Sequence, residues 1–96
     1  MKPRVEFNEE KNLLLQATRG ISFEMVIEAI TKNKILDDLK HKNGKKYPRQ
    51  KMLVIKINNY VYAVPYVINE QKGTIFLKTV YPSRVLTNKY LKKELK

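Results

Sequence analysis

One stretch organises the rest of the chain: Ile75-Phe76-Leu77-Lys78-Thr79-Val80-Tyr81-Pro82-Ser83-Arg84. Its mostly aliphatic, aromatic and β-branched residues are typical of one buried strand, and Pro82 ends that strand because it has no N–H to donate to a ladder. Ser83 is placed to cap a terminal helix. The apolar residues of that helix recur at helical spacing, at Leu86, Tyr90, Leu91 and Leu95. The stretch therefore predicts a strand that delivers Arg84 to the rim of a sheet.

Two cations of this stretch are candidates for function. Arg84 falls in the first turn of the predicted helix, where the helix dipole favours anions, and this mismatch indicates a role outside the helix, such as holding a phosphate. Within the strand, Lys78 is expected between Phe76 and Val80 on one face. A lysine with apolar neighbours either extends its amine to solvent or is placed for function, and the sequence leaves both interpretations open.

The composition limits the fold to one small domain, residues 1–96, with 43% hydrophobic residues and little room for a deep substrate cavity. The chain has no cysteine and one histidine, so a zinc site would have to combine His41 with carboxylates alone. We therefore expect no metal and no other cofactor. With no apolar signal segment and no run long enough to span a membrane, the chain is expected to be cytoplasmic and without a membrane partner.

The charge is strongly asymmetric along the chain, whose net charge is +11. Residues 1–39 carry six Lys or Arg and seven Asp or Glu, whereas residues 40–96 carry fourteen and two. A small basic domain usually meets a polyanion, which here means nucleic acid, an acidic membrane surface or an acidic protein. Membrane binding ranks last because no amphipathic basic helix with exposed large apolar residues is apparent.

The first third of the chain predicts a short edge strand over residues 3–7 and then a helical hairpin. Asn8 caps a first helix that runs to about Thr18, and Gly20 is placed for a left-handed C-terminal cap. Ser22 caps the second helix. Its apolar stripe, which we expect to face the core, consists of Phe23, Val26, Ile27 and Ile30. No chemistry is expected from these two helices.

A basic loop follows. Residues 35–39 fit either a strand or a last helical turn, and residues 40–51 then contain six Lys or Arg and no acid, with a turn signal at Asn43-Gly44. One interpretation is a solvated charge run that keeps the protein soluble. The other is a nucleic-acid contact, because basic residues interleaved with Tyr47 can hold a phosphate backbone and stack one base.

The remaining sequence predicts an antiparallel meander. Strands over residues 52–57 and 60–68 flank Asn58-Asn59, and symmetric pairing about this turn aligns Ile55 with Tyr62 and Leu53 with Val64. Pro65 implies a sheet edge or a bulge, and residues 70–73 turn the chain into the final strand.

The predicted fold class is therefore α/β, of the α+β type, with two N-terminal helices, a meander of three to four strands and a C-terminal helix. The predicted core comprises Phe23, Val26, Ile27, Ile30, Leu53, Ile55, Leu77 and Leu91.

This order of elements resembles the RelE/ParE superfamily of bacterial type II toxin-antitoxin toxins, and within it the BrnT-like ribonuclease toxins. Residues 7–12 are similar to that family's opening segment with its phenylalanine and lysine, and Arg19-Gly20-Ile21-Ser22-Phe23-Glu24 is similar to its His-Gly-Val-Ser-Phe-Glu. Ser83-Arg84 with Tyr90 resembles its closing Ser-Ala-Arg and downstream tyrosine. The chain departs from the family where Arg19 replaces the histidine and where Leu77-Lys78-Thr79 replaces an arginine of the last strand.

The resemblance implies a toxin that cleaves RNA without a metal and inhibits translation and growth. Its implied partners are RNA, including ribosome-bound mRNA, and an acidic antitoxin protein. Attack of a 2′-hydroxyl on the adjacent phosphate needs a base, an acid and cations around the phosphorus oxygens. The candidate catalytic residues are Arg84, His41, Lys46, Tyr47 and Lys78. The candidate RNA-binding residues are Lys40, Lys42, Lys45, Arg49, Lys51, Ser83 and Tyr90.

Within that set, we predict that Arg84 and either His41 or Lys46 form the cleaving centre at the rim of the meander. An unperturbed histidine titrates at about pH 6.5, and arginine suits bidentate contact with a phosphate. Two other classes stay open. One is a nucleic-acid or ribosome binding module without catalysis, and the other is a toxin of this fold that inhibits a protein such as gyrase.

Overall fold

The computed structural model describes residues 4–91, which form three helices and a mixed six-stranded sheet. In chain order the elements are β1 Arg4–Phe7, α1 Glu9–Arg19, α2 Phe23–Thr31, β2 Ile35–Lys40, β3 Gln50–Ile57, β4 Tyr60–Asn69, β5 Thr74–Leu77, β6 Tyr81–Pro82 and α3 Arg84–Tyr90. The expected helical position of Leu95 and the expected strand position of Pro3 lie outside the described residues. No helix within residues 4–91 is long and apolar enough to cross a membrane.

The sheet has the strand order β1-β5-β4-β3-β2, and β6 pairs with β4 beyond the end of β5. The predicted meander is confirmed as β3, β4 and β5, which pair antiparallel in sequence. The sheet is wider than predicted, because β2 adds to β3 antiparallel and β1 adds to β5 parallel. The α+β class is therefore confirmed, while the all-antiparallel sheet of three to four strands is not.

The predicted helix caps are confirmed. The Asn8 side chain accepts a hydrogen bond from the Lys11 N–H at 2.9 Å, and the Ser22 hydroxyl accepts from the Met25 N–H at 3.2 Å. Gly20 has φ +65° and closes α1 with its N–H on the Gln16 carbonyl. These contacts satisfy backbone groups that a helix end leaves without intrahelical partners.

A buried side chain that the sequence does not single out joins the two helices. Asn12 is fully buried; its oxygen accepts from the Phe23 N–H at 2.7 Å, and its amide donates to Glu24 at 2.7 Å. This bond is the main reason that the pKa of Glu24 lies below its usual range. Asn12, Phe23 and Glu24 belong to the two N-terminal segments that carry the family resemblance, so these segments have a structural role in this chain.

The β3–β4 hairpin has the predicted register. Ile55 pairs with Tyr62 and Leu53 with Val64. Both turn residues adopt the left-handed conformation, with φ +51° at Asn58 and +64° at Asn59. Asparagine tolerates this conformation better than most residues, which is why the turn signal was readable in the sequence.

The core lies between the sheet and the first two helices. Of the predicted core residues, Phe23, Val26, Leu53, Ile55 and Leu77 are buried, and Ile30 packs at the margin. Ile27 and Leu91 are only partly buried and lie outside the core cluster, so their assignment to the core is wrong.

A second, smaller apolar cluster lies on the opposite face of the sheet. Val54, Val61 and Ala63 are fully buried there, because they alternate with core residues along β3 and β4. Helix α3 covers them: the Val61 N–H donates to the Thr87 hydroxyl at 3.0 Å, and the helix crosses to β2. This placement explains why Leu91 does not reach the main core.

The predicted strand over residues 75–81 is interrupted, because β5 ends at Leu77 and β6 starts at Tyr81. The cause lies in the neighbouring strand. The Pro65 carbonyl accepts from the Lys78 N–H at 2.9 Å, so the backbone N and C=O of Pro65 both point toward Lys78. Because proline has no N–H, Pro65 cannot donate the second hydrogen bond of this pair. The ladder between β4 and β5 therefore ends there. The irregularity predicted at Pro65 occurs in the neighbouring segment after β5, and β4 itself remains a central strand.

The interruption changes which side chains share a face. Val80 turns into the core and is fully buried, and the Arg19 guanidinium holds its carbonyl at 3.0 Å. Phe76, Lys78 and Tyr81 are exposed. The expectation that Lys78 lies between Phe76 and Val80 on one face is therefore wrong, because the break shifts the alternation of the strand by one residue.

Candidate nucleic-acid interface

Helix α3 leaves part of its sheet face uncovered, and we call this part the open face. Its central residues are partly buried and come from β3 and β4. The register places Gln50 beside Val67 and Met52 beside Pro65. Its outer residues are exposed and come from the interrupted segment, residues 74–84, which contains β5 and β6. These outer residues are Phe76, Lys78 and Tyr81.

The basic stretch over residues 40–51 forms a loop only over residues 41–49, because its ends belong to β2 and β3. This basic loop borders the open face. Its conformation is organised by Asn43, whose carbonyl accepts from the Tyr47 N–H at 2.9 Å and whose side chain accepts from the Lys46 N–H at 3.2 Å. The His41 and Tyr47 rings are 4.7 Å apart between centroids, and the Lys46 ammonium lies 5.5 Å from the centre of the Tyr47 ring. The loop therefore brings three of the candidate catalytic residues together.

The orientation of the histidine ring is set by the loop backbone. The Asn43 N–H donates to His41 Nδ1 at 3.0 Å, so in the neutral ring the proton belongs on Nε2. When His41 is charged, both nitrogens carry protons and this contact is lost. In this geometry Nδ1 already accepts a hydrogen bond and Nε2 carries the proton, so the ring can take up a proton only after the Asn43 contact breaks.

A cavity of about 290 Å³ joins the loop to the open face. His41 and Lys78 both line it, although they are far apart in sequence, and no carboxylate among residues 4–91 lines it. The remaining lining residues are Lys40, Lys42, Gln50, Lys51, Met52, Pro65 and Tyr66. This arrangement suits an anion near a titratable ring.

Two of the predicted RNA-binding cations have acidic partners. Lys51 donates to Asp38 at 3.0 Å, and Arg49 lies 3.6 Å from Glu70. The other basic residues of this region make no ion pair with any residue in the described range 4–91: Lys40, Lys42, Lys45, Lys46 and Lys78. These five lysines therefore carry most of the positive potential of the surface.

Asp38 forms a small network that the sequence did not reveal. Its other oxygen accepts from the Tyr66 hydroxyl at 2.8 Å, and burial together with this bond raises the pKa of Tyr66. Tyr66 therefore stays protonated and acts as a fixed donor. The network holds the Lys51 ammonium in place at the cavity lining, where Asp38 neutralises its charge.

Arg84 lies apart from the loop. It follows Ser83, whose N–H donates to the Val61 carbonyl, whereas Lys51 lies level with Tyr66, five residues further along β4. That offset is roughly 17 Å along a strand. The structure therefore does not bring Arg84 together with His41 or Lys46, and the predicted centre built from these residues is not assembled.

Ser83 and Tyr90 have structural partners. The Ser83 hydroxyl accepts from the Leu86 N–H at 3.1 Å and caps α3, as predicted from its position. The Tyr90 hydroxyl donates to Asp37 at 2.6 Å. This bond is the main reason that the pKa of Asp37 lies below its usual range, and it raises the pKa of Tyr90. The Ser83 side chain thus caps the start of α3, and the Tyr90 side chain holds α3 against β2.

Phe76 and Tyr81 were missed as candidates, because a run of apolar residues in one strand is usually a buried run.

Among residues 4–91, no three His, Cys, Asp or Glu side chains come together as metal ligands would. Comparison with protein-family models, with curated proteins and with solved structures finds no match to this chain.

Proposed function

We propose that this chain is a metal-independent endoribonuclease of the toxin type, which cleaves RNA in the cavity between the basic loop and the open face. The observation that carries the proposal is that His41 and Lys78 line one cavity, which no carboxylate of residues 4–91 lines. The sequence resemblance of residues 19–24 to BrnT-like toxins supports the same class of activity. The unpaired lysines around the cavity supply the attraction for a phosphate backbone.

The proposed chemistry is attack of a ribose 2′-hydroxyl on the adjacent phosphorus. The Asn43 N–H leaves Nδ1 of His41, and Nδ1 then accepts the hydroxyl proton. The 2′-oxygen bonds to phosphorus, and the bond to the 5′-oxygen breaks. The leaving 5′-oxygen takes a proton, for which Lys46 and Tyr47 are the nearest donors in the loop. The products are a 2′,3′-cyclic phosphate and a 5′-hydroxyl, and Lys78 stabilises the charge on the phosphorus oxygens.

Arg84 takes a different part in this proposal. At roughly 17 Å along the sheet from the level of Lys51, it is too far from His41 to share one phosphate. We therefore place Arg84 as a contact for the RNA backbone beyond the cleaved bond. Its replacement by alanine should weaken RNA binding more than it slows cleavage at saturating RNA.

The test is incubation of the purified chain with RNA in the presence of EDTA, followed by analysis of the 3′ ends. Wild type should release cyclic phosphates, and His41→Ala should lower the rate by roughly 10²- to 10⁴-fold, the usual contribution of a general base. Lys78→Ala should also cleave poorly. Lys34→Ala is the matched control, because Lys34 is exposed and lines a different cavity beside α2.

The pH profile separates the two candidate bases. If His41 is the base, His41→Ala should lose cleavage at every pH; if Lys46 is the base, the profile should lie at more alkaline pH and His41→Ala should stay active. A His41→Ala chain that cleaves at the wild-type rate would refute the assignment. RNA that binds but stays intact would instead indicate the binding module, and intact RNA with poisoned DNA supercoiling would indicate a toxin against a protein target.

We further propose that an acidic antitoxin covers the basic loop. The five unpaired lysines would speed its capture, and salt would screen that attraction. An association rate that stays constant between low and high salt would contradict this partner.

A further inference from the structure

Three exposed side chains of the interrupted segment lie in a row along the open face. Phe76 is 41% exposed and Tyr81 is 37% exposed, and Lys78 lies between them. Large aromatic side chains are usually buried, so two of them on one sheet face next to a basic loop require an explanation.

The row has a regular spacing that β4 sets. Phe76 pairs with Val67, Lys78 bonds to Pro65, and Tyr81 pairs with Ala63. Positions two residues apart on a strand are separated by roughly 7 Å, so each step of the row has this length. The two rings are therefore roughly 14 Å apart, which corresponds to two nucleotide steps of a splayed single strand of RNA. This distance allows one base at each ring, one nucleotide between them and a phosphate at Lys78.

The charges of the region are consistent with that division. Lys78 makes no ion pair within residues 4–91 and lines the cavity without carboxylates. At the other end of the row, Phe76 borders a cavity of about 590 Å³ that Glu6 and Glu70 line. Carboxylates repel a phosphate but accept hydrogen bonds from the amino groups of bases. The Phe76 end therefore suits a base, and the Lys78 position suits a phosphate.

We propose that the open face binds single-stranded RNA by stacking one base on Phe76 and one on Tyr81, two nucleotides apart, with Lys78 on a phosphate between them. The proposal rests on the proposed function and names its substrate class. Single strands are favoured over duplexes, because the bases of a duplex stack on each other and cannot lie on protein rings. Tyr81 is already steadied by its hydroxyl contact with the Met52 sulfur at 3.8 Å.

The experiment measures binding of the full chain to a fluorescent RNA whose riboses all carry 2′-O-methyl groups, which removes the attacking hydroxyl and prevents cleavage. Phe76→Leu and Tyr81→Leu should each lower affinity for the single strand by roughly 5- to 100-fold, the range for loss of one stacked base. Tyr81→Phe keeps the ring and should bind within about twofold of wild type. Leu14→Ala is the control, because Leu14 is exposed on α1, which packs on the opposite face of the sheet.

Salt dependence distinguishes stacking from charge. Lys78→Ala should reduce the slope of log affinity against log salt by about 0.7, the value for one phosphate contact on a single strand. Phe76→Leu should lower affinity at every salt concentration and leave the slope unchanged. Circular dichroism of each variant verifies that the fold is retained.

Three outcomes would overturn the inference while leaving the proposed function standing. The first is equal RNA binding by Phe76→Leu, Tyr81→Leu and wild type, and the second is equally tight binding of the matching duplex. The third is a wild-type dimer in solution that Phe76→Leu dissociates, because the open face would then bind a second copy of the chain. Absence of any RNA binding, together with intact RNA in the cleavage assay, would refute the proposed function itself.

Discussion

The β3–β4 hairpin and the segment over residues 74–84 have similar apolar sequences, yet only the hairpin has the structure that its sequence predicts. The hairpin pairs in the predicted register around Asn58-Asn59. Within the segment, residues 75–81 were predicted as one strand and instead belong to two short strands with an interruption between them. The difference is that a turn residue acts on its own backbone, whereas the interruption is caused by Pro65 on another strand.

The comparison also separates stability from function. The hairpin contributes Leu53, Ile55 and Val64 to the core. The interrupted segment contributes Leu77 and Val80 to the core and exposes Phe76, Lys78 and Tyr81. A continuous strand could not place all three exposed residues on one face, because side chains alternate with a period of two. The irregularity therefore creates the surface that we propose for RNA.

The largest expected effect tests the hairpin. Ile55→Ala should lower the free energy of unfolding by about 2 to 5 kcal/mol, because Ile55 is fully buried and the truncation leaves a cavity. Urea denaturation monitored by circular dichroism measures this change. Val85→Ala, at a site that is 76% exposed, should unfold like wild type. If Ile55→Ala unfolds at the wild-type urea concentration, the strand does not face the core.

A smaller effect tests the interruption. Val80→Ala should lower the free energy of unfolding by about 2 kcal/mol, because the two deleted carbons lie in the core. In one uninterrupted strand, Val80 would share the exposed face with Phe76, and its truncation would cost almost nothing. An unchanged urea midpoint for Val80→Ala would thus favour the regular strand and would also remove the shared face of Phe76 and Tyr81.

The same contrast explains how much could be predicted from the sequence. Caps, turns and the hairpin register depend on residues within a few positions of each other, so Asn8, Gly20, Ser22 and the Asn58-Asn59 turn were readable. The basic loop was readable for the same reason, since His41, Lys46 and Tyr47 are close in sequence. Contacts that join distant segments were not readable, because no local pattern records them.

Lys78 and Arg84 show the consequence for the site. Both were candidates as cations at the end of an apolar run, and sequence alone could not tell which of them meets His41. Lys78 keeps the alternation of β5 and lines the loop cavity, while the pairing of β6 places Arg84 at the other end of β4. The bond between Arg19 and Val80 belongs to the same class of distant contacts.

The smallest expected effect concerns α3, the helix that follows the interrupted segment. The bond from the Tyr90 hydroxyl to Asp37 ties this helix to β2. Tyr90→Phe removes only this donor and should lower stability slightly at pH 7. The bond lowers the pKa of Asp37 in the folded state, with smaller contributions from the Asp38 N–H and from Lys89.

The pH dependence of this variant identifies the bond. Because the pKa of Asp37 is lower in the folded chain than in the unfolded one, the bond stabilises the fold fully above the unfolded value, about 3.9, and this stabilisation disappears as the pH falls through the lower folded value. The raised pKa of Tyr90 sets the opposite limit, since the contribution disappears as the pH rises above the ordinary tyrosine value of about 10. The stability difference between wild type and Tyr90→Phe, measured by urea denaturation, should therefore be constant between about pH 5 and 9 and shrink below pH 4. A difference that stays constant down to pH 2 would mean that the hydroxyl does not bond to Asp37, and a Tyr90→Phe chain with weakened RNA binding would return Tyr90 to the candidate RNA contacts.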